Sequence, residues 1–254
     1  MRSAIDKASG QEVSAEEFHK RIGSRTAQVE DRFQQPDAIC RVCHESVYLV
    51  DGSPERASHF RHRIKSFCPT IFPTGEPYMK MTPNRGDAAS GQVLRAAVRR
   101  HWHAHYSVLR GIVPFLSPEE FVSLLQFASE RRTWDYRGLC ESQIPYVMIL
   151  LADFPPWTST RKGGQNERHL WFRFWYSRHA QSIEDLWTRP RGQPMLYRGS
   201  FTPPDRQNGR PLFDNLLADK PVDLDYDFLT RETRVPPQFV SNHVERWFLH
   251  SRYF

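Results

Sequence analysis

The chain has 254 residues, of which 39% are hydrophobic and 25% are charged, and its formal net charge is +6 at neutral pH. A chain of this length can bury a hydrophobic core, and because no stretch approaches the roughly eighteen consecutive apolar residues of a transmembrane helix, we expect no membrane span. The N-terminus lacks the apolar region of a secretory signal, so we expect a cytoplasmic protein.

The first predicted element is a short helix that begins near Ser14. Ser14 is followed three positions later by Glu17, which is the pattern of a helix capping box, and Phe18 would then face the core. Residues 1–13 show no periodic pattern, and we expect them to be frayed. We therefore predict that residues 1–35 form an N-terminal helix and a lead-in to the next element.

Cysteine and histidine residues cluster between residues 36 and 69. The candidate metal ligands are Cys40, Cys43, His59, His62 and Cys68. Zinc is held tetrahedrally by thiolates and imidazoles, commonly in pairs that are two to four residues apart. A short apolar stretch and the turn residues Asp51-Gly52-Ser53-Pro54 separate the two pairs. The segment 36–69 is therefore predicted to be a zinc ribbon, a hairpin closed by Zn²⁺, whose folding energy the metal would supply.

Four of these five residues are enough for a tetrahedral site. Cys40, Cys43 and His62 are the first three, and either His59 or Cys68 completes the set. We favour Cys68, because a thiolate is the stronger ligand and His59 could still support the site by a hydrogen bond.

The ribbon pattern resembles the N-terminal zinc ribbon of the CoiA-like competence proteins of bacteria. The matching residues are Cys40, Cys43, His59-Phe60-Arg61-His62 and Cys68-Pro69. The resemblance implies a bacterial, DNA-associated setting. CoiA-like proteins commonly continue into a restriction-nuclease-like domain, so the resemblance also implies a nuclease as an alternative function. The nearest candidate for such a nuclease site is Asp135 with Glu141-Ser142-Gln143.

The middle of the chain is predicted to be mainly helical. Residues 70–90 contain several prolines and are expected to be a linker out of the ribbon. From Gly91 to Val113 apolar residues recur at helical spacing, which predicts one helix. The segment Ser117–Glu120 has the residues of a helix start. Ile144 to Phe154 is a continuous apolar run that predicts either a buried helix or a buried strand, and it completes the helical part, residues 91–155.

The last part of the chain, residues 156–254, is predicted to mix strands and helices. His169 to Tyr176 is rich in strand-forming aromatic residues, and Pro194 to Phe201 is expected to pair with it. Phe239 to Phe254 is predicted to be a final helix. The chain as a whole is thus predicted to be α+β, with a small ribbon hairpin, a mainly helical region and an aromatic-rich β/α C-terminal part.

Two further patterns permit both a functional and a structural interpretation. Trp171, Arg173 and Trp175 share one side of a predicted strand and could stack on a single-stranded nucleic acid. A strand that packs on both sides would have the same residues, and we favour that interpretation. The alternating histidines of His101-x-His103-x-His105 could bind a metal, but without a neighbouring carboxylate we expect core or surface histidines.

The predicted function combines the ribbon with the basic surplus, which attracts polyanions. The candidate nucleic-acid-binding residues are Arg56, Arg61, Arg63, Lys65, Arg99 and Arg100. We expect a non-enzymatic zinc-ribbon protein that binds DNA or RNA, or joins a protein complex, in DNA uptake, processing or phage defence, and we assign no catalytic residue. The alternatives are a CoiA-like nuclease or nuclease subunit and a protein-interaction subunit without nucleic-acid contact, in which the aromatic residues, 13% of the chain, would form the interface.

Overall fold

The structure is a computed structural model with a mixed α+β fold, as the sequence predicts. It describes residues 1–22, 38–62, 68, 78, 83, 86–158, 167–176, 195–204, 211 and 215–254. The predictions for Arg63, Lys65 and most of the linker 70–90 lie outside these residues. In the described part of the chain, no helix is both long enough and apolar enough to cross a membrane.

An antiparallel sheet of five strands contains the predicted ribbon hairpin. The strands are β1 (Ser3–Asp6), β2 (Glu12–Ser14), β3 (Ala38–Ile39), β4 (Ser46–Val50) and β5 (His59–His62). Their spatial order is β2-β1-β3-β4-β5. The prediction that residues 1–13 are frayed is wrong. Ala4 and Asp6 are buried, and β1 gains backbone hydrogen bonds from β2 and β3 on its two edges.

The predicted N-terminal helix is present as α1 (Ala15–Ile22). Its capping box forms as expected, because the Glu17 amide donates to Ser14 Oγ and the Ser14 amide donates to the Glu17 carboxylate, both at 3.1 Å. Phe18 is buried and packs edge-on against Phe60 of β5, with 5.2 Å between the ring centroids. The helix therefore covers the sheet that carries the ribbon hairpin.

Five helices are described after the ribbon: α2 (Ala88–Arg100), α3 (Trp102–Ile112), α4 (Pro118–Glu130), α5 (Ile144–Met148) and α6 (Gln238–His250). The single helix predicted from Gly91 to Val113 is thus two helices. His101 interrupts it with φ −107° and ψ 23°, and its side chain is hydrogen-bonded to Glu141. The helix is thus divided at a position where the apolar spacing of the sequence is continuous.

The apolar run from Ile144 to Phe154 is helical as far as Leu151, and Phe154 at its end forms a β-bridge with Phe172. It forms α5 and continues as a 3-10 turn, Ile149–Leu151, and the side chains of both parts are buried. Gly91 allows α2 to approach a second 3-10 turn, Thr133–Asp135, because a Cβ atom at Gly91 would clash with the Asp135 carboxylate.

The C-terminal sheet has three antiparallel strands in the order β10-β9-β8: β8 (Trp171–Tyr176), β9 (Leu196–Phe201) and β10 (Leu216–Pro221). The predicted pairing of β8 with β9 is confirmed, whereas β10 is not evident from the sequence. A separate short pair consists of β6 (Trp157–Thr158) and β7 (Glu167–Arg168).

Arg173 and Trp175 are each 1% exposed, which confirms their core interpretation and leaves no stacking platform on β8.

Candidate metal centre

Three cysteines and one histidine converge at one end of the five-stranded sheet. Cys40 and Cys43 lie in the connection between β3 and β4, His62 is the last residue of β5, and Cys68 follows six positions later. The ligand atoms of these four residues all lie within 4.8 Å of one another, so the group could hold a metal ion. In the described part of the chain, no other group of three or more His, Cys, Asp or Glu residues has its ligand atoms so close together.

The connection between β3 and β4 folds so that both of its cysteines face the same point. The Cys40 amide donates to the Glu45 carbonyl at 2.8 Å, and the His44 amide donates to the Cys40 carbonyl at 2.9 Å. His44 adopts the left-handed conformation with φ 56°, which reverses the chain within this tight turn. The Val42 amide points at Cys40 Sγ from 3.4 Å and can stabilise negative charge on that sulfur.

The register of β5 places His59 too far from the other ligands to be the fourth ligand. His62 pairs with Val47 at the beginning of β4, whereas His59 pairs with Val50 at the other end of that strand. Three residues of strand separate the two histidines by about 10 Å. His59 lies with Nδ1 3.4 Å from the Ala57 carbonyl. The structure therefore groups His62 with Cys68, as we favoured, and leaves His59 out of the cluster.

The thiols lie close to one another and to the His62 imidazole. Cys40 Sγ lies 3.8 Å from Cys68 Sγ, and Cys43 Sγ lies 3.3 Å from His62 Nε2. Hydrogen bonds from the Cys43 and Cys68 thiols lower the pKa of Cys40, and the hydrogen bond to Cys40 raises the pKa of Cys43. None of these cysteines forms a disulfide, and Cys40 and Cys68 are fully buried. A bound cation would compensate negative charge on such buried sulfurs, which is otherwise costly in a protein interior.

Three thiolates and one imidazole form a Cys₃His set, one of the ligand sets of structural zinc sites. A tetrahedral ion with four protein ligands has no open position for water or substrate. Catalytic zinc sites keep such a position. The chemistry of this group therefore fits a role in stabilising the fold.

The four predicted nucleic-acid-binding residues that the structure describes lie on the β4-β5 hairpin and on α2. Arg56 lies at the tip of the β4-β5 hairpin and Arg61 on β5 opposite Tyr48, and both arginines are exposed. Arg99 and Arg100 are exposed at the end of α2, where the Arg99 guanidinium lies 5.6 Å from the centre of the Phe248 ring.

The two carboxylates of the nuclease alternative belong to separate clusters. Asp135 is buried beside Arg132, whose Nε lies 3.0 Å from its Oδ2. Glu141 Oε1 instead lies 2.8 Å from His101 Nδ1 and 3.1 Å from His105 Nε2. Each carboxylate is thus bonded to its own partners.

The contact of Glu141 with the two histidines is a feature that the sequence analysis missed. The sequence places no carboxylate near these histidines along the chain, and the structure brings one from 36 positions beyond His105. His105 is fully buried, and burial lowers its pKa even though the hydrogen bond with Glu141 acts in the opposite direction. Burial acts to raise the pKa of Glu141, but the hydrogen bonds from His105 and His101 outweigh it and the pKa is lowered.

Comparison with known proteins found no match for the chain among protein-family models, curated proteins or solved structures. The resemblance to CoiA-like ribbons therefore depends only on the residues between Cys40 and Pro69.

Proposed function

We propose that Cys40, Cys43, His62 and Cys68 bind one structural zinc ion, and that the chain is a non-enzymatic zinc-ribbon protein that binds nucleic acid or serves in a nucleic-acid-processing complex. The observation that carries the metal assignment is the convergence of three thiols and one imidazole within 4.8 Å. Zinc is the common metal of Cys₃His sites.

The zinc ion would join chain segments that have few other connections. β3 has only two residues and β5 has four, so these strands contribute few backbone hydrogen bonds. A metal bonded to the β3-β4 connection, to β5 and to Cys68 cross-links all three segments. Its binding energy becomes folding energy, because the unfolded chain lacks a preformed site.

The basic side chains of the hairpin support the nucleic-acid part of the proposal. Arg56 and Arg61 are exposed on a hairpin that the metal would hold rigid, so little ordering would be needed on contact with a phosphate backbone. The formal net charge of +6 adds long-range attraction. The setting in bacterial DNA uptake, processing or phage defence follows only from the CoiA-like resemblance.

The nuclease alternative has less support. Its two carboxylates, Asp135 and Glu141, have different partners, and nuclease chemistry needs acidic groups that share a metal or a water molecule. We therefore expect no metal-dependent cleavage of DNA or RNA. Turnover that disappears in both Asp135→Ala and Glu141→Ala would replace our proposal with the nuclease alternative.

Metal analysis of two matched histidine variants tests the proposal directly. The purified full-length protein should contain one zinc ion per chain, and His62→Ala should lose most of it. His59→Ala, three positions away on the same strand, should retain it. A wild-type protein purified without chelators that contains no zinc, or equal zinc in both variants, would contradict the assigned ligand set.

Binding of DNA and RNA oligonucleotides at low ionic strength tests the second part. If the protein contains zinc but binds no oligonucleotide, the proposed metal site stands and the protein-interaction alternative is favoured.

A further inference from the structure

A second concave site lies far along the chain from the ribbon residues. An open cavity of about 630 Å³ is lined by residues of α3, of the strands β9 and β10, and of the segment 221–234. Residues one helical turn apart on α3, namely Ala104, Val108 and Ile112, form one wall. Pockets of roughly 300–1,000 Å³ are typical of small-molecule binding sites.

The charged group that projects from β9 into this cavity is Arg198. Its guanidinium is half-buried, and one nitrogen, Nη1, donates to the Ile112 carbonyl at 2.8 Å. Its Nε atom is buried and has no hydrogen-bond partner among the described residues. Arg198 also forms no ion pair with any carboxylate in the described ranges, and burial lowers its pKa. A desolvated cation normally has an anionic partner. The partners of Arg198 among the described residues are the Ile112 carbonyl and the Phe172 ring, whose centroid lies 5.2 Å from the guanidinium carbon, and both are uncharged.

A second cation lies directly beside Arg198. Lys220 of β10 is its cross-strand neighbour in the antiparallel register, and both residues line the cavity. Directly opposed residues on one face of a sheet have Cβ atoms about 5 Å apart, and like charges in such a pair destabilise the sheet. Within the described chain, Lys220 has no ion pair either.

The acidic residues around the cavity do not neutralise this pair. Asp225 is engaged by Arg231 through two hydrogen bonds of 2.8 and 3.1 Å. Asp223 and Glu232 line the cavity but are exposed to solvent. The wall formed by β9 and β10 therefore carries two cations, the half-buried Arg198 and the exposed Lys220, and neither is ion-paired within the described residues.

The remaining lining of the cavity is suited to an apolar group. Val108 is half-buried, and Ile112 and Phe228 are almost fully buried. These side chains provide the hydrophobic surface that ligand pockets combine with a few polar anchors.

We propose that this cavity binds a small organic oxyanion, with a phosphate or carboxylate group on Arg198 and Lys220 and an apolar body against Val108, Ile112 and Phe228. The bound oxyanion would supply the counter-charge that the described residues do not give this cation pair. Arginine binds both groups through two parallel N–H donors. The proposal is independent of the zinc site and of the basic hairpin.

Isothermal titration calorimetry of the full-length protein tests the proposal with three probes: inorganic phosphate, phenyl phosphate and benzoate. We expect saturable binding of at least one aromatic anion, at least about tenfold tighter than that of inorganic phosphate, because its ring buries apolar surface. Tighter binding of phenyl phosphate identifies a phosphate site, and tighter binding of benzoate identifies a carboxylate site. Absence of saturable binding of all three probes would overturn the proposal.

Three variants assign the binding to the cation pair. Arg198→Gln should weaken binding of the preferred probe at least about tenfold, and Lys220→Gln at least about threefold. Arg246→Gln, which removes an exposed charge from α6, should leave binding unchanged. If Arg198→Gln does not fold, the variant Lys220→Gln decides the outcome, because Lys220 is exposed. A Lys220→Gln affinity equal to that of Arg246→Gln would refute the assignment. Arg61→Glu should also leave probe binding unchanged, which separates this site from nucleic-acid binding by the hairpin.

Discussion

His62 Nε2 lies 3.3 Å from Cys43 Sγ, across 19 positions of the chain. The contact joins the end of β5 to the connection between β3 and β4, and it depends on the pairing of β4 with β5. The ribbon cluster is thus a product of strand register, and a metal bound there would in turn hold that register.

We expect removal of the metal to loosen the ribbon sheet selectively. Chelation should increase amide hydrogen exchange in β4 and β5, because their stability would no longer include the metal-binding energy, and it should leave α4 protected. Hydrogen-exchange mass spectrometry before and after chelation measures both segments. Cys140→Ser is the control, since Cys140 is exposed and outside the cluster, and this variant should keep its zinc and its protection. Equal exchange in β4 and β5 with and without metal would show that the ion is not structural.

Reversal of the hairpin charges should weaken nucleic-acid binding without loss of zinc. The triple variant Arg61→Glu, Arg63→Glu and Lys65→Glu should lower affinity for DNA or RNA by at least about tenfold at low salt and reduce its dependence on salt concentration, because fewer counterions are released. Fluorescence anisotropy at several salt concentrations measures both quantities. Arg246→Glu, a single charge reversal on α6 away from the hairpin, is the control for position, and it should change the affinity much less. An unchanged affinity in the triple variant would mean that the hairpin charges only face solvent.

The contact of Glu141 with His101 and His105 should make the free energy of unfolding depend on pH. The pKa of His105 is lowered in the folded state, so the unfolded chain binds a proton first as the pH falls, and stability is lost below the usual histidine pKa of about 6.5. The pKa of Glu141 is also lowered, so its contribution is present above its unfolded pKa and is lost as the pH falls further. Both groups therefore predict a decrease in the free energy of unfolding from about pH 7 to pH 4, measurable by urea denaturation.

The variant Glu141→Gln tests which groups cause this dependence. It should destabilise the protein by roughly 1–3 kcal/mol at neutral pH, because it weakens the hydrogen bonds to His101 and the buried His105. It should also flatten the acidic part of the stability profile. A profile of the same shape as the wild type would assign the pH dependence to other groups.

Two glycines in neighbouring helices should respond in opposite directions to alanine. A Cβ atom at Gly91 would clash with the Asp135 carboxylate and lie 3.1 Å from the Trp134 carbonyl oxygen, so Gly91→Ala should destabilise the protein by about 1–3 kcal/mol. A Cβ atom at Gly111 meets no atom within 4 Å, so Gly111→Ala should stabilise α3 by about 0.5–1 kcal/mol. Urea unfolding of both variants gives the comparison, and a stabilised Gly91→Ala would show that α2 does not pack closely on Asp135.

Several features of this protein follow from local sequence alone. The spacing of Cys40 and Cys43 predicts a pair of metal ligands, the Ser14 to Glu17 pattern predicts the start of α1, and the aromatic run of β8 predicts a strand. These features were predictable because ligand pairs, capping boxes and strand preferences act between residues only a few positions apart.

Other features depended on the tertiary structure. The register of β5 groups His62 with Cys68, and the helix predicted from Gly91 to Val113 is divided at His101, whose side chain is hydrogen-bonded to Glu141. β10, which has no clear pattern of its own, placed Lys220 opposite Arg198. Each of these outcomes requires contacts between segments that are distant in the chain, and the spacing of residues within one segment carries no information about which distant segment will lie beside it.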